Sequence, residues 1–156
     1  MLNIDVPDFG ELKIKYFLMD YNGTLAIDGK LSAEVKKLLN ILSEKVELHI
    51  ITADTFGKAK KELEGVKCKL TILSGENQAE EKERYIKKLG ENRTIAFGNG
   101  RNDRFMIKRA RLGVVLLQEE GSSVETLMNS DIVVKNIMDA LSLFTNNKRV
   151  IATLRS

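Results

Sequence analysis

The stretch Tyr16-Phe17-Leu18-Met19-Asp20-Tyr21-Asn22-Gly23-Thr24-Leu25 decides the fold prediction, because a short apolar run leads directly into a polar turn that contains glycine. The apolar part, 16–19, has the length of a buried β-strand. Asn22-Gly23 is a strong turn signal that, taken alone, fits an ordinary hairpin equally well. In open parallel sheets, however, ligands bind at the carboxyl ends of the strands. Asp20 is therefore a candidate functional residue.

Strands and helices alternate over the rest of the chain. Predicted strands cover 47–51, 68–73, 94–97, 113–117 and 131–134, and predicted helices cover 31–42, 55–63, 77–89, 102–112, 124–128 and 137–144. Ser32 is expected to cap the first helix and Gly90 to end the third. This alternation predicts an α/β fold, a Rossmann-like parallel sheet with helices on both faces.

The two ends of the chain are predicted to extend this single domain of residues 1–156. Pro7-Asp8-Phe9-Gly10 separates two apolar segments and indicates a turn, so residues 1–15 are expected to form an N-terminal β-hairpin extension. Residues 146–156 carry no clear pattern and are treated as a C-terminal tail.

Composition excludes several classes of protein. The 156 residues carry a net charge of +3 and are 43% hydrophobic, which is ordinary for a globular domain and argues against disorder. The longest apolar run, 113–117, is far too short to cross a bilayer. Cys68 is the sole cysteine, so neither an internal disulfide nor a cysteine-based zinc site is expected. These features, together with an N-terminus that does not resemble a signal peptide, predict a cytoplasmic protein without membrane contact.

Small, polar or acidic residues also follow the other predicted strands. Thr52-Ala53-Asp54 follows the second strand of the sheet, Ser74-Gly75-Glu76 the third, and Gly98-Asn99-Gly100-Arg101-Asn102-Asp103 the fourth. Each group alone fits a turn or a helix cap, but their recurrence at successive strand ends favours a phosphoryl-transfer site. A carboxylate can attack phosphorus, hydroxyl and backbone N–H groups can hold phosphate oxygens, and a lysine can neutralise developing charge. Lys82, near the start of the helix 77–89, is the best lysine for that role.

These residues resemble the motifs of the haloacid dehalogenase (HAD) superfamily. Asp20 to Leu25 is similar to its nucleophile motif, Asp-x-Asp-Gly-Thr-Leu, and Thr52 and Lys82 match its second and third motifs. Gly98 to Asp103 resembles the fourth motif, Gly-Asp-Gly-x-Asn-Asp. The similarity runs from residue 16 to about residue 117, and it is greatest to the soluble P-type-ATPase-like group of HAD phosphatases.

The resemblance implies a role for each matched residue. Asp20 would be the catalytic nucleophile that becomes an aspartyl phosphate, with Lys82 as its catalytic partner. Mg²⁺ would be the cofactor. The residues implied as its ligands are Asp20, Asn22 through its carbonyl, Asn99 and Asp103. The residues implied as phosphate-binding are Asn22, Gly23, Thr52, Ala53 and Lys82.

Two departures from the family pattern predict a slow enzyme. Asn22 stands where the family has the aspartate that acts as general acid and base, and an amide cannot donate and retrieve a proton. Asn99 stands where most relatives have a metal-binding aspartate, which predicts a weaker Mg²⁺ site. The expected function is a magnesium-dependent phosphohydrolase. The alternative is a weak or inactive phosphate- or nucleotide-binding regulatory protein of the same fold.

The spacing of the motifs leaves no room for a cap domain over the site. An open site suits a small phosphorylated substrate or a phosphorylated macromolecule, and homo-oligomerisation is another way to cover it. Five basic residues follow the fourth strand: Arg101, Arg104, Lys108, Arg109 and Arg111. They fit a solvated helix face or, for Arg101, Asn102 and Arg104, a substrate rim that steers phosphate. Nucleic-acid binding is disfavoured because the chain has no Trp and a single aromatic residue, Phe105, lies among these bases.

Overall fold

The computed structural model of the chain describes residues 1–53 and 57–156. The strands are β1 (Leu2–Val6), β2 (Gly10–Ile14), β3 (Tyr16–Asp20), β4 (Glu47–Thr52), β5 (Lys69–Ile72), β6 (Thr94–Gly98), β7 (Leu112–Leu116) and β8 (Ile132–Val134). The helices are α1 (Ala33–Ser43), α2 (Lys58–Glu62), α3 (Gln78–Leu89), α4 (Arg104–Arg109), α5 (Val124–Met128), α6 (Ile137–Thr145) and α7 (Asn147–Leu154).

The predicted α/β fold is confirmed. Within the described residues, β3 to β8 form a six-stranded sheet in the order β5-β4-β3-β6-β7-β8, and every pair in it is parallel. β1 and β2 form the predicted antiparallel hairpin, in which Leu2 pairs with Ile14 and Val6 with Gly10. Because β3 lies between β4 and β6, Asp20 emerges near the middle of the sheet edge, and the loops after both neighbouring strands can reach it.

The two faces of the sheet are buried by different helices. Alternating positions such as Phe17 and Met19 on β3 face a large core that includes side chains of α1, α6 and α7. Leu18, between them, faces a smaller core under α3 and α4. This alternation follows from the two-residue period of a strand. Helices on both faces leave the strand ends as the open edge of the sheet.

The hairpin and the C-terminal helix belong to the main core. Leu12 and Ile14 of the hairpin are fully buried in it, and so is Val150 of α7. Residues 146–156, which have no clear sequence pattern, thus contain a helix that packs against β1 and α6.

Some predicted element boundaries shift. The predicted helix 102–112 is a 3-10 turn at Arg101–Asp103 followed by α4, which ends at Arg109. It ends early because the Arg111 N–H donates to Glu91 O and Thr94 O, and Leu112 then pairs with Ile95 in the sheet. The predicted helix 55–63 corresponds to α2 from Lys58, while its first two residues and the neighbouring Asp54 lie outside the described residues. Ser32 accepts a hydrogen bond from Val35 N as the predicted cap of α1, and α3 ends at Gly90.

Candidate active site

Asp20 and Lys82 meet in the interior at the carboxyl edge of the sheet. Lys82 Nζ lies 2.7 Å from Asp20 Oδ1 and 2.6 Å from Asp103 Oδ1. The side chains of Lys82 and Asp103 are 1% and 0% exposed, and that of Asp20 is 11% exposed, so it alone of the three reaches the surface. Buried ion pairs need such close geometry to offset the cost of removing charges from water.

The same burial shifts the protonation of these groups. Burial, reinforced by the nearby Asp103 carboxylate, raises the pKa of Asp20 to about 7, against the lowering effect of Lys82. Burial by itself would lower the pKa of Lys82, but the two carboxylates outweigh it and hold that pKa above its usual value. Lys82 is therefore a fixed positive charge, while Asp20 titrates near neutral pH when no cation is bound.

The turn after β3 is held in a tight conformation by its backbone. Gly23 has a φ of 74°, and its N–H donates to Ala26 O, while Ala26 N–H donates to Tyr21 O. Thr24, which is fully buried, places its hydroxyl 3.4 Å from Asp20 Oδ2 and 3.2 Å from Asn99 Oδ1. The positive φ favours glycine here, and a Cβ on Gly23 would lie 2.5 Å from Asn99 Nδ2, so a larger residue would have to displace the Asn99 side chain.

Asp103 organises the loop after β6. Its Oδ2 accepts hydrogen bonds from the N–H groups of Asn99 at 2.9 Å and Gly100 at 3.0 Å, while its Oδ1 faces Lys82. Both carboxylate oxygens are therefore engaged within the protein. This arrangement holds the side chain of Asn99 beside the turn at Gly23.

The oxygen atoms at this edge fit a hard divalent cation. Asp20 Oδ2 and Asn99 Oδ1 converge on one hydroxyl, that of Thr24, and Asn22 supplies a backbone carbonyl in the adjacent turn. Mg²⁺ prefers such an all-oxygen set and keeps part of its water shell. Across residues 1–53 and 57–156, no three acidic, histidine or cysteine side chains converge on a metal position, so a cation here would depend on amide and carbonyl oxygens as well.

The predicted phosphate-binding residues lie on the neighbouring loops. Thr52, which is buried, ends β4 beside β3, and Ala53 follows it. The turn at Asn22 and Gly23 follows Asp20 directly. The structure thus brings the ends of β3, β4 and β6 to the same edge as Lys82 of α3, as the sequence predicts.

The basic residues after β6 do not form one patch. Arg101 and Arg104 both pair with Glu125, at 2.9 and 3.2 Å. Asn102 donates to Gln78, and both side chains line a cavity of about 370 Å³. Arg109 pairs with Glu83. Arg111 lies over the Phe9 ring, away from the other bases. Arg109 and Arg111 fit the interpretation as a solvated helix face. Arg101, Asn102 and Arg104 line an open cavity beside α3.

The sequence did not point to the loop after β7, yet this loop contacts the turn at Gly23 that follows Asp20. Gln118 Nε2 donates to the carbonyls of Gly23 and Thr24, both at 2.8 Å, and Gln118 Oε1 accepts from Ile137 N. Gly121 O accepts from Asn99 Nδ2 at 3.0 Å. Polar residues at yet another strand end were the available signal.

Comparison with curated proteins identifies relatives in Methanocaldococcus jannaschii. The protein MJ0073 is 46% identical over 71 residues, which cover 45% of this chain and 76% of the relative. The protein MJ0072 is 53% identical over 38 residues, which cover 24% of this chain and 86% of that protein. No protein-family model matches the chain.

Solved structures share the fold over nearly the whole chain. The 3-deoxy-D-manno-octulosonate 8-phosphate phosphatase of Moraxella catarrhalis, in complex with magnesium, phosphate and KDO, has a TM-score of 0.72 and 18% identity, covering 92% of this chain and 94% of its own. A hydrolase of Legionella pneumophila, described as a HAD superfamily member of subfamily III A, has a TM-score of 0.72 and 18% identity, covering 90% and 87%. The cobalt-bound phosphatase of the same octulosonate class from Haemophilus influenzae has a TM-score of 0.69 and 13% identity, covering 89% and 92%.

These similarities agree with the α/β fold and its parallel sheet. At such low identity the solved structures establish the fold, and the archaeal relative establishes the family. The chain belongs to the same family as MJ0073 of Methanocaldococcus jannaschii, and its fold is that of the HAD superfamily.

Proposed function

We propose that the chain is a magnesium-dependent phosphohydrolase that works through an aspartyl phosphate on Asp20. The observation that carries this proposal is the placement of Asp20, at the carboxyl end of β3, against the buried ammonium of Lys82. A buried carboxylate bound at 2.7 Å to a lysine and open on one side is suited to nucleophilic attack. The phosphatases that share the fold, one of them in complex with magnesium and phosphate, support the same chemistry.

In the first step, an oxygen of Asp20 attacks the phosphorus of a phosphate monoester, and the bond from phosphorus to the ester oxygen breaks. Lys82 stabilises the negative charge of the transferring phosphoryl group, with Thr52, Ala53 and the turn at Gly23 holding its oxygens. Asp20, the Asn22 carbonyl and Asn99 would hold Mg²⁺, which supplies further charge neutralisation at these oxygens. Asp103 keeps Lys82 and Asn99 in place.

The proton that the leaving alkoxide requires comes from water, because Asn22 cannot supply it. In the second step, water attacks the phosphorus of the aspartyl phosphate, the acyl phosphate bond breaks, and Asp20 and inorganic phosphate are released. This water also lacks a general base at position 22. General acid–base catalysis is worth about 10²–10⁴-fold, so both steps are slow, and substrates with good leaving groups react best.

The proposed substrate is a small phosphorylated molecule or a phosphorylated macromolecule, since the described chain inserts no domain above Asp20. The segment between β3 and β4 contains α1 alone among helices and strands, and the described part of the segment before α3 contains α2 and β5. Arg101, Asn102 and Arg104 form the proposed rim of the site. None of the helices in the described residues has the length and apolar character to span a membrane.

The test is hydrolysis of para-nitrophenyl phosphate with and without Mg²⁺. Wild-type activity should require Mg²⁺, vanish in Asp20→Asn and survive in Asp5→Asn, a control at an exposed aspartate on the hairpin. Beryllofluoride with Mg²⁺ should form a stable complex with the wild type and none with Asp20→Asn, as read by ¹⁹F NMR.

The outcomes separate the two functions. Activity that persists in Asp20→Asn contradicts the covalent mechanism. Absence of activity in both the wild type and Asn22→Asp, with retained binding of phosphate, favours the regulatory phosphate-binding protein.

A further inference from the structure

Glu120 lies beside the position where the chain lacks a metal-binding carboxylate. A Cβ added to Gly23 would lie 2.9 Å from Glu120 Oε2 and 2.5 Å from Asn99 Nδ2. The side chains of Asn99 and Glu120 therefore lie on the same side of the turn at Gly23. Glu120 is exposed, and no hydrogen bond or ion pair engages its carboxylate in the part of the chain that the structure describes.

Asn99 itself holds the loop that carries Glu120. Its Nδ2 donates to Gly121 O at 3.0 Å, and its backbone carbonyl accepts from Ser122 Oγ at 3.0 Å and Ser123 N at 2.8 Å. An aspartate at position 99 has no N–H to donate to Gly121 O and would repel Glu120. Asparagine at position 99 thus carries one negative charge fewer than an aspartate would. Its Nδ2 atom also holds the loop that carries the Glu120 carboxylate.

We infer that Glu120 supplies the negative charge that Asn99 does not provide to the cation site, as a positioning residue for Mg²⁺. The inference rests on the proposed function, because it assumes a cation held by Asp20 and Asn99. Its physical basis is electrostatic, because a carboxylate beside a bound divalent ion lowers the free energy of the bound state.

The test measures binding of Mg²⁺ alone by isothermal titration calorimetry, without substrate. Glu120→Gln should raise the Kd for Mg²⁺ about tenfold, the effect of removing one charge about 6–7 Å from a divalent ion in a water-like dielectric. Glu119→Gln is the matched control, since Glu119 is exposed on the same loop but lies at a different cavity with Lys135 and Asn136. Its Kd should stay at the wild-type value, and thermal denaturation in EDTA should show both variants folded.

A double variant tests whether the two positions exchange roles. Asn99→Asp combined with Glu120→Gln restores one carboxylate and removes the other, so it should bind Mg²⁺ more tightly than Glu120→Gln alone. An unchanged Kd in Glu120→Gln, with binding abolished in Asp20→Asn, overturns the inference and leaves the proposed function standing. Absence of Mg²⁺ binding by the wild type overturns both.

Discussion

Replacing Lys82 by methionine is the most informative perturbation of the buried ion cluster. Methionine keeps the length of the side chain but removes the charge that contacts Asp20 at 2.7 Å and Asp103 at 2.6 Å. Breaking a buried ion pair by deleting one partner costs about 3–5 kcal/mol, because the other partner is left as an uncompensated charge. We expect Lys82→Met to lower the free energy of unfolding by about 4 kcal/mol at pH 8.5 in EDTA. For a chain of this size that corresponds to a fall in Tm of about 10 °C.

The loss of stability in Lys82→Met should depend on pH, and the raised pKa of Asp20 determines whether it grows or shrinks as the pH rises. Its pKa is about 7 in the folded protein and 3.8 as the ordinary value, so the folded state binds this proton more tightly. Its contribution to stability is present below about pH 4 and is lost as the pH rises to about 7. Lys82 lowers the pKa of Asp20, so this pKa is higher in the variant than in the wild type. The free energy of unfolding of the variant therefore continues to fall above pH 7. The deficit of Lys82→Met should therefore be larger at pH 8.5 than at pH 5.5.

Urea denaturation followed by circular dichroism at the two pH values measures this deficit. Lys87→Met is the matched control on the same helix, since Lys87 is 46% exposed and makes a surface pair with Glu83. It should cost less than about 1 kcal/mol at either pH. If Lys82→Met is as stable as the wild type at pH 8.5, or if its deficit is the same at both pH values, Lys82 does not neutralise buried carboxylates and the electrostatic account is wrong.

Three further substitutions test other parts of the structure. Asn22→Asp should raise kcat for para-nitrophenyl phosphate about 10²-fold, since it restores a general acid and base, and an unchanged kcat would show that proton transfer does not limit turnover. Gly23→Ala should abolish Mg²⁺-dependent activity, because its Cβ would lie 2.5 Å from Asn99 Nδ2 at a φ of 74°; normal activity would show that the turn rearranges freely. Phe144→Ala, which removes a fully buried ring packed against two other phenylalanines, should lower the free energy of unfolding by about 3–5 kcal/mol, and a loss below about 1 kcal/mol in urea denaturation would mean that the site refills.

The parts of the site that sequence could predict are those with local signals. The apolar run before Asp20 and the turn at Gly23 are read from adjacent residues, and the alternation of strands and helices fixes a parallel sheet with its strand ends at one edge. Lys82 followed from its position near the start of a predicted helix and from the family resemblance. The open site followed from the short spacing between Asp20, Thr52 and Lys82.

The parts that sequence did not predict depend on contacts between distant segments. Gln118 reaches Gly23 across a separation of 95 residues, and its sequence signals it weakly, as one of several polar residues that follow a strand. The early end of α4 is set by hydrogen bonds from Arg111 to the segment before β6, which override a helical pattern. Residues 147–154 show no clear pattern on their own, but Val150 is buried against the hairpin side of the core.

The hydrogen bonds of Asp103 bear on which of the predicted ligands could bind Mg²⁺. The resemblance implies that Asp103 binds Mg²⁺, yet its Oδ1 contacts Lys82 and its Oδ2 accepts two backbone N–H groups. The two N–H groups occupy Oδ2, so an ion would share Oδ1 with the Lys82 ammonium, whose positive charge opposes a cation there. Asp103 therefore holds Lys82 and the backbone of Asn99 in place, and its role as a Mg²⁺ ligand stays a prediction. Asp20 likewise gives Oδ1 to Lys82 and leaves Oδ2, 3.4 Å from the Thr24 hydroxyl, to face a cation. This small supply of carboxylate oxygens is the reason we infer that Glu120 contributes charge at this edge.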